Sequence, residues 1–411
     1  MKSIYSFLFL GLAISLSSCK KEDKVKTTKT DVINLIKTDP SNEQIIPGKY
    51  IVVFKSGTVP SALFKKSMTY EQCNLLVENV AADILRDNHI EKVQMDQVYN
   101  SAISGFAGSL TDQDFAKLKL DSRIEFIEQD RIVILSKEEE GDVDTYGKNT
   151  GGGTTQPAQI TPAGITRVGG PGSAGTRKGW IIDTGIDFTH PDLVVNTTLS
   201  KSFVTKVRTA KDDNGHGSHV AGIIGAKNNT IGSVGVAAGV TLVAVKVIDK
   251  YGSGTISAIV AGIDYVASAA ASGDVANISL GASSSASIDS AVAKAARKGI
   301  LFAIAAGNSA ADANNISPAR LNGNGIFTAS AMDANDNWAS FSNYANPPID
   351  YCEPGVNIFS CWLGGAYNTL SGTSMACPHL AGVLLVTNGS PATSGYVTND
   401  PDGTADPIGH L

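Results

Sequence analysis

The chain has 411 residues, enough for two domains, and 42% hydrophobic against 18% charged residues marks its bulk as globular. A formal net charge of −6 gives no electrostatic case for nucleic acid as a partner. Five cysteines are too few for a disulfide scaffold in a chain this long, and 42 glycines suit a loop-rich α/β enzyme in which backbone approaches ligand closely.

Residues 1–19 read as an export signal. Lys2 gives a positive start, Phe7 to Leu16 an apolar core too short to span a bilayer, and Leu16-Ser17-Ser18-Cys19 the end. Residues 20–43 open with Lys20-Lys21-Glu22-Asp23-Lys24 and read as a polar, flexible tether. Residues 44–136 form a small domain. Lys49 to Phe54 is β-rich, Tyr70 to Leu85 has helical periodicity, and Val98 to Phe106 is a mixed apolar stretch. Asp112 to Leu120 reads as a helix, and Arg123 to Asp130 alternates like a strand. The order β-α-β-β-α-β is the ferredoxin-like α+β arrangement. Residues 137–157 are a linker, acidic at Glu138-Glu139-Glu140 and Gly/Thr-rich after it.

Residues 158–411 form the larger domain, in which strands and helices alternate. Strands are expected at Gly179 to Ile182, Thr241 to Val247, Ala276 to Leu280, Ile300 to Ala305 and Gly325 to Ala329. Helices are expected at His216 to Ile224, Thr255 to Ala271, Ser287 to Lys298 and Ser374 to Val386. The strand runs are nearly all apolar, which predicts a mostly parallel sheet buried on both faces. After Val386 the pattern fades into a short polar tail. There is no internal repeat and no transmembrane stretch.

Three motifs carry chemistry. Ser371-Gly372-Thr373-Ser374-Met375-Ala376-Cys377-Pro378-His379 places Ser374 near a helix N-terminus, since Pro378 suits a first helical turn. Free N–H groups and the helix dipole there favour a developing oxyanion. A serine before a helix is more often only a cap, so this segment alone does not decide. Asp213 to Gly222 contains His216, flanked by Gly215 and Gly217, which let backbone and substrate approach, and a rival, His219. Spacing leaves the two histidines on roughly one side of a helix and does not choose between them. Trp180 to Asp187 contains Asp183, which ends a buried strand, the usual place for a site in such sheets.

A serine needs a base, and the base needs an orienting carboxylate. The order Asp, His, Ser is that of subtilisin, distinct from the orders in chymotrypsin and the α/β-hydrolases. On these motifs, residues 159–386 resemble the subtilisin-like serine proteases, the proteinase K branch in particular. The resemblance implies a subtilisin-like α/β fold with Asp183, His216 and Ser374 as the triad. It implies that His219 is structural, and His379 reads as a packing or hydrogen-bonding residue. Asn308, in Ala305-Ala306-Gly307-Asn308-Ser309, matches the family's oxyanion asparagine. Gly105-Phe106 and Phe126-Ile127-Glu128-Gln129-Asp130 resemble the family's inhibitory propeptide, which implies a self-inhibited precursor cut in the linker. Substrate would lie as an added strand on Gly252, Ser253 and Gly254 and on Ser279, Leu280 and Gly281. Ala306 and Gly307 would line the pocket beside the cut bond, which predicts broad specificity with apolar or aromatic preference.

The resemblance also implies structural calcium, held by Gln159, Asp192, Asn229 and the carbonyls of Lys227, Ile231 and Ser233. Asp350 matches a second calcium aspartate. These are hard oxygen ligands suited to that ion. The ending at Cys19 resembles a bacterial lipoprotein signal. It implies a precursor anchored in the cell envelope by lipid on Cys19, a catalytic domain released by maturation, and a monomeric secreted enzyme acting on proteins and peptides. Cys352 and Cys361 could pair only if their segments face each other. The rival readings are a catalytically inactive protease-fold binding protein and an esterase. The second lacks the Gly-x-Ser-x-Gly that its class needs.

Overall fold

The computed structural model describes residues 44–91, 93–135, 139–140 and 156–411. Cys19 and the expected signal and tether, as well as most of the linker, lie outside the described residues. In chain order the small domain comprises β1 (Ile45–Phe54), α1 (Tyr70–Asp87), β2 (Met95–Tyr99), β3 (Gly105–Ser109), α2 (Asp112–Leu118) and β4 (Ile124–Ile134). The strand order β2-β3-β1-β4, antiparallel throughout, is the expected ferredoxin-like sheet. Both helices start on a capping box, Thr69 with Gln72 and Thr111 with Asp114.

Alternation along β1 sends side chains to two different cores. Val52 and Phe54 pack with Val77, Ile84, Phe106 and Leu118 inside the small domain. Ile51 and Val53 face the other way and join the core of the larger domain.

After β4 come β5 (Glu139–Glu140), α3 (Ala163–Arg167), β6 (Lys178–Asp183), β7 (Lys201–Ser202), α4 (His216–Gly225), β8 (Thr241–Lys246) and β9 (Ser253–Thr255). Then follow α5 (Ile256–Ala269), β10 (Val275–Ile278), β11 (Ala282–Ser283), α6 (Ala286–Ala296), β12 (Leu301–Ala305), β13 (Ile316–Ser317) and β14 (Ile326–Met332). The chain closes with β15 (Ile349–Pro354), β16 (Ile358–Cys361), β17 (Tyr367–Ser371), α7 (Thr373–Thr387), β18 (Ala392–Tyr396) and β19 (Pro407–His410).

The central sheet runs β18-β19-β15-β14-β12-β10-β6-β8-β7, and every pair except β18/β19 is parallel. Helices cover both faces, which explains the uninterrupted apolar strands. Trp180, Ile182, Val243, Val245, Phe302 and Ile304 face α5 and α6. Ile181, Leu242, Ala244, Ala303 and Ala305 face α4 and α7.

One feature differs from the sequence reading, and one resolves a pairing that it left open. The polar tail carries β18 and β19, and β19 extends the central sheet through Cys352 opposite Ile408. Its strands are short and its alternation is interrupted by the loop 397–406, so no period marks them. Cys352 and Cys361 are free buried thiols that pack in separate apolar clusters. Among the described residues, no helix is long and apolar enough to cross a membrane.

Candidate active site

Asp183 is the last residue of β6 and is fully buried. Its Oδ1 and Oδ2 lie 2.7 and 2.9 Å from His216 Nδ1, and Oδ1 accepts the Thr184 N–H at 2.6 Å. His216 is the first residue of α4. Gly215 before it has φ +119°, and a Cβ there would lie 2.4 Å from the Trp362 ring. A Cβ on Gly217 would lie 2.1 Å from the Gly185 carbonyl oxygen. The flanking glycines thus admit the Trp362 ring and, as expected, the backbone of the loop after Asp183.

Ser374 is the second residue of α7, in the turn whose N–H groups have no intrahelical acceptor. Its Oγ lies 3.3 Å from the Ser279 carbonyl, and its own carbonyl accepts the Ser279 hydroxyl at 3.0 Å. Helices α4 and α7 pack on each other, so His216 and Ser374 each stand in the first turn of one of two touching helices. Asn308 Oδ1 accepts the Thr373 N–H at 2.8 Å and the Thr373 hydroxyl at 2.7 Å. That fixes the amide with Nδ2 as its donor end.

Two other histidines, His219 and His379, are buried and lie against backbone carbonyls. His219 Nε2 lies 3.1 Å from the carbonyls of Ile358 and Asn368, and burial pushes its pKa down to about 3. His379 Nδ1 lies 2.8 Å from the Met375 carbonyl, and burial lowers its pKa to about 4.

The expected substrate edge is occupied by the small domain. The end of β4 pairs antiparallel with β9, Val133 opposite Gly254 and Ile134 opposite Ser253, and the Leu135 N–H donates to the Gly252 carbonyl at 2.8 Å. Beyond residues 136–138, Glu139 pairs with Ser371 on β17. Ser279, Leu280 and Ala306 are buried, while Gly281 would place a Cβ 2.8 Å from Ile316. Gly307 has φ +105° and donates its N–H to Thr373 Oγ1 at 3.1 Å.

Three contacts at the same interface escaped the sequence reading. Glu128 Oε2 accepts the Ser287 N–H at 2.8 Å, at the start of α6. Asp130 accepts both the N–H and the hydroxyl of Ser257, at the start of α5. Asp264, buried on α5, accepts the N–H groups of Asn100, Ser101, Ala102 and Ile103. Asp264 had a sequence signal, a lone carboxylate inside the apolar run from Ile256 to Ala269. Glu128 and Asp130 stood in the stretch that resembles an inhibitory propeptide, but their contacts had no local signal, because the partners are N–H groups of distant helices.

Gln159, Asp192 and Asn229 converge on one loop. The Asn229 N–H donates to Gln159 Oε1, and Asn229 Nδ2 donates to Asp192 Oδ1 at 2.7 Å. Ser233 N–H and the Tyr367 hydroxyl donate to Asp192 Oδ2 at 3.3 and 2.6 Å, while Lys227 N–H and Ile231 N–H bond to the Asp192 carbonyl and to Asn229 Oδ1. The donor atoms are oxygens around one buried carboxylate held by neutral groups, a chemistry that fits calcium. Among the described residues, no group of three His, Cys, Asp or Glu could hold a metal. Asp350 Oδ2 accepts the Thr328 N–H at 2.9 Å, and burial raises its pKa to about 6.

Residues 180–395 match the Subtilase family (Peptidase_S8), and residues 49–136 match Peptidase inhibitor I9. The chain is 37% identical to an alkaline serine exoprotease A of Vibrio alginolyticus, over 82% of this chain and 60% of that protein. It is 34% identical to an extracellular serine proteinase of Thermus sp. (strain Rt41A), over 92% of this chain and 87% of that protein. Proteinase R of Parengyodontium album is also 34% identical, over 83% of this chain and 79% of its own length. The crystal structure of a cold-adapted subtilisin-like serine proteinase superposes with a TM-score of 0.54 at 34% identity, covering 60% of this chain and 96% of that one. With a hydrogen-bonded Asp–His pair at one strand end and the last strand of its inhibitor-like domain paired with β9, the chain belongs to the subtilase family of serine endopeptidases.

Proposed function

We propose that Ser374 attacks the peptide carbonyl while His216 takes its proton, and that Asp183 orients His216 and stabilises the imidazolium. His216 then returns the proton to the leaving amine, and water repeats the cycle on the acyl-enzyme. The Asn308 amide and the Ser374 N–H donate to the tetrahedral oxyanion. The 2.7 Å contact between Asp183 and His216 Nδ1 carries this reading, because it fixes the imidazole with Nε2 as the base. Substrate takes the place that β4 holds on β9. Backbone pairing there tolerates any sequence, so preference comes from the pocket at Ala306 and Gly307 and is broad, apolar or aromatic.

The precursor is organised as residues 1–19 signal, 20–43 tether, 44–136 inhibitor, 137–157 linker and 158–411 catalytic domain. The maturation cut falls at a bond between residues 136 and 139, at the inhibitor end of the linker. Support comes from the two flanks, since Leu135 is tied to Gly252 and Glu139 to Ser371, beside Ser374. Lipid on Cys19 would anchor the precursor to the bacterial envelope, and the cut would release a monomeric catalytic domain. Gln159, Asp192, Asn229 and the carbonyls of Lys227, Ile231 and Ser233 would hold calcium, which would supply charge to neutralise Asp192 and cross-link the loop. Asp350 would hold a second ion.

The test compares wild type with Ser374→Ala. Wild type is expected to yield a free catalytic chain starting within residues 137–139 and to cleave peptide anilides after apolar residues. Ser374→Ala should remain full-length and inert. A Ser374→Ala chain that matured and hydrolysed peptides at the wild-type rate would overturn the assignment.

A further inference from the structure

We propose that Asp212 is a positioning residue for the Asp183–His216 pair, an inference that rests on the relay proposed above. Asp212 is buried, and its carboxylate accepts five hydrogen bonds, from Thr184 after β6, from its own loop and from the first turn of α4. Oδ1 takes the Thr184 hydroxyl at 2.9 Å and the N–H groups of Asn214 and Gly215 at 3.0 Å each. Oδ2 takes the Ser218 N–H at 2.9 Å and the Ser218 hydroxyl at 2.7 Å.

These donors bracket the two residues of the pair. Thr184 directly follows Asp183, while Gly215 and Ser218 stand on either side of His216. Each hydroxyl passes the constraint on. Thr184 Oγ1 accepts the Gly217 N–H at 2.9 Å, and Ser218 Oγ accepts the Asp187 N–H at 2.8 Å. An ionised carboxylate can only accept, so both hydroxyl protons must point at Asp212 and both oxygens must turn their lone pairs to those amides. One carboxylate thereby sets two bridges between the Asp183 loop and the first turn of α4.

Helix capping explains why the carboxylate comes from outside the helix. Gly215, at the N-cap, has no side chain to satisfy the first N–H groups of α4. Thr184 Oγ1 takes Gly217 N–H and Asp212 takes Ser218 N–H in its stead. The helix that carries His216 is thus capped by the residue after Asp183 and by Asp212, so the position of His216 follows that of Asp183. Replacing Asp212 by asparagine puts an NH2 where donors converge, and at least one bridge must open.

The test uses the full chain, allowed to mature. Asp212→Asn should lower kcat by tenfold or more with KM changed less than threefold and the thermal midpoint within a few degrees of wild type. The low-field NMR resonance of the His216 Nδ1 proton should shift or broaden. Thr184→Val and Ser218→Ala each break one bridge and should show the same signature at smaller amplitude, which keeps the test open if Asp212→Asn does not fold. Wild-type kcat and an unmoved low-field resonance in Asp212→Asn, or in both single-bridge variants, would overturn the proposal. Full activity in Ser374→Ala would instead sink the relay itself, so the two failures are distinguishable.

Discussion

Asp130 of the inhibitor caps a helix of the enzyme: its Oδ1 accepts the Ser257 N–H at 3.0 Å and its Oδ2 the Ser257 hydroxyl at 2.6 Å. The cap sits at the start of α5, two residues beyond Thr255, the end of the edge that β4 occupies on β9. Binding along the substrate edge and capping of the helix are therefore one act. Loss of a helix cap costs about 1 kcal/mol, roughly fivefold in an equilibrium constant. Asp130→Ala should raise the dissociation constant of the cleaved inhibitor by about that factor. Titration of the mature enzyme with purified inhibitor, read as residual peptide hydrolysis, checks it.

Asp264 should matter more. Its side chain accepts four consecutive N–H groups from the inhibitor and the Tyr70 hydroxyl, and its removal strands them at a buried interface. Each stranded buried donor costs about 1–3 kcal/mol. Asp264→Ala should thus weaken the inhibitor well beyond Asp130→Ala, leaving the kcat of the mature enzyme near wild type. Equal inhibition constants for the two variants would contradict the assigned roles.

Asn308→Ala should reduce kcat by roughly 10²–10³, a range established on a subtilisin itself, with little change in KM. The donor meets charge that exists only in the transition state, so ground-state binding does not depend on it. Steady-state kinetics on a peptide anilide separates the two constants.

Acidity should tighten the C-terminal strands. Asp406 lies buried between β18 and β19, where Ser330 and Asn346 bond it, and burial raises its pKa to about 7. A carboxyl whose folded pKa is raised contributes most below its ordinary value near 4, and the contribution is lost as pH rises through 7. The protection of amides over 392–410, the exchange rate taken relative to the intrinsic rate at each pH, should therefore fall between pH 5 and pH 8, and Asp406→Asn should flatten that dependence. Weaker protection at the acid end would reverse the sign and refute this.

Calcium removal should lower the thermal midpoint of the mature enzyme, and Asp192→Asn should abolish most of that response. The carboxylate is the one charged ligand in the loop, so its neutralisation removes the main electrostatic attraction for the ion. Melting curves with and without chelator measure both effects.

The sequence exposed the parts of the site that are locally encoded. Asp183 lies at the end of an apolar run and Ser374 just before another, so each announces its setting within about ten residues, although Pro378, read as a first-turn proline, sits in the second turn of α7, four residues after Ser374. The ferredoxin-like order of the inhibitor was equally legible, because its helices and strands keep their periods. Long-range partners were not. Asp212 looks like any loop aspartate until Thr184 and Ser218 close on it, and Asp130 acquires meaning only when α5 starts beneath it. The close approach of backbone at Gly217 was legible, but Trp362, which packs against Gly215, was not, because it lies far along the chain. The tail escaped because β19 is four residues long and its partner β15 carries the interrupting Glu353 and Pro354.

The most direct measurement is the rate and site of reaction with a fluorophosphonate in the mature protein. The account predicts a single adduct on Ser374, found by peptide mapping, with labelling slowed by several orders of magnitude in His216→Ala. An absence of adduct in fully processed wild type, or an adduct on another serine, would contradict it.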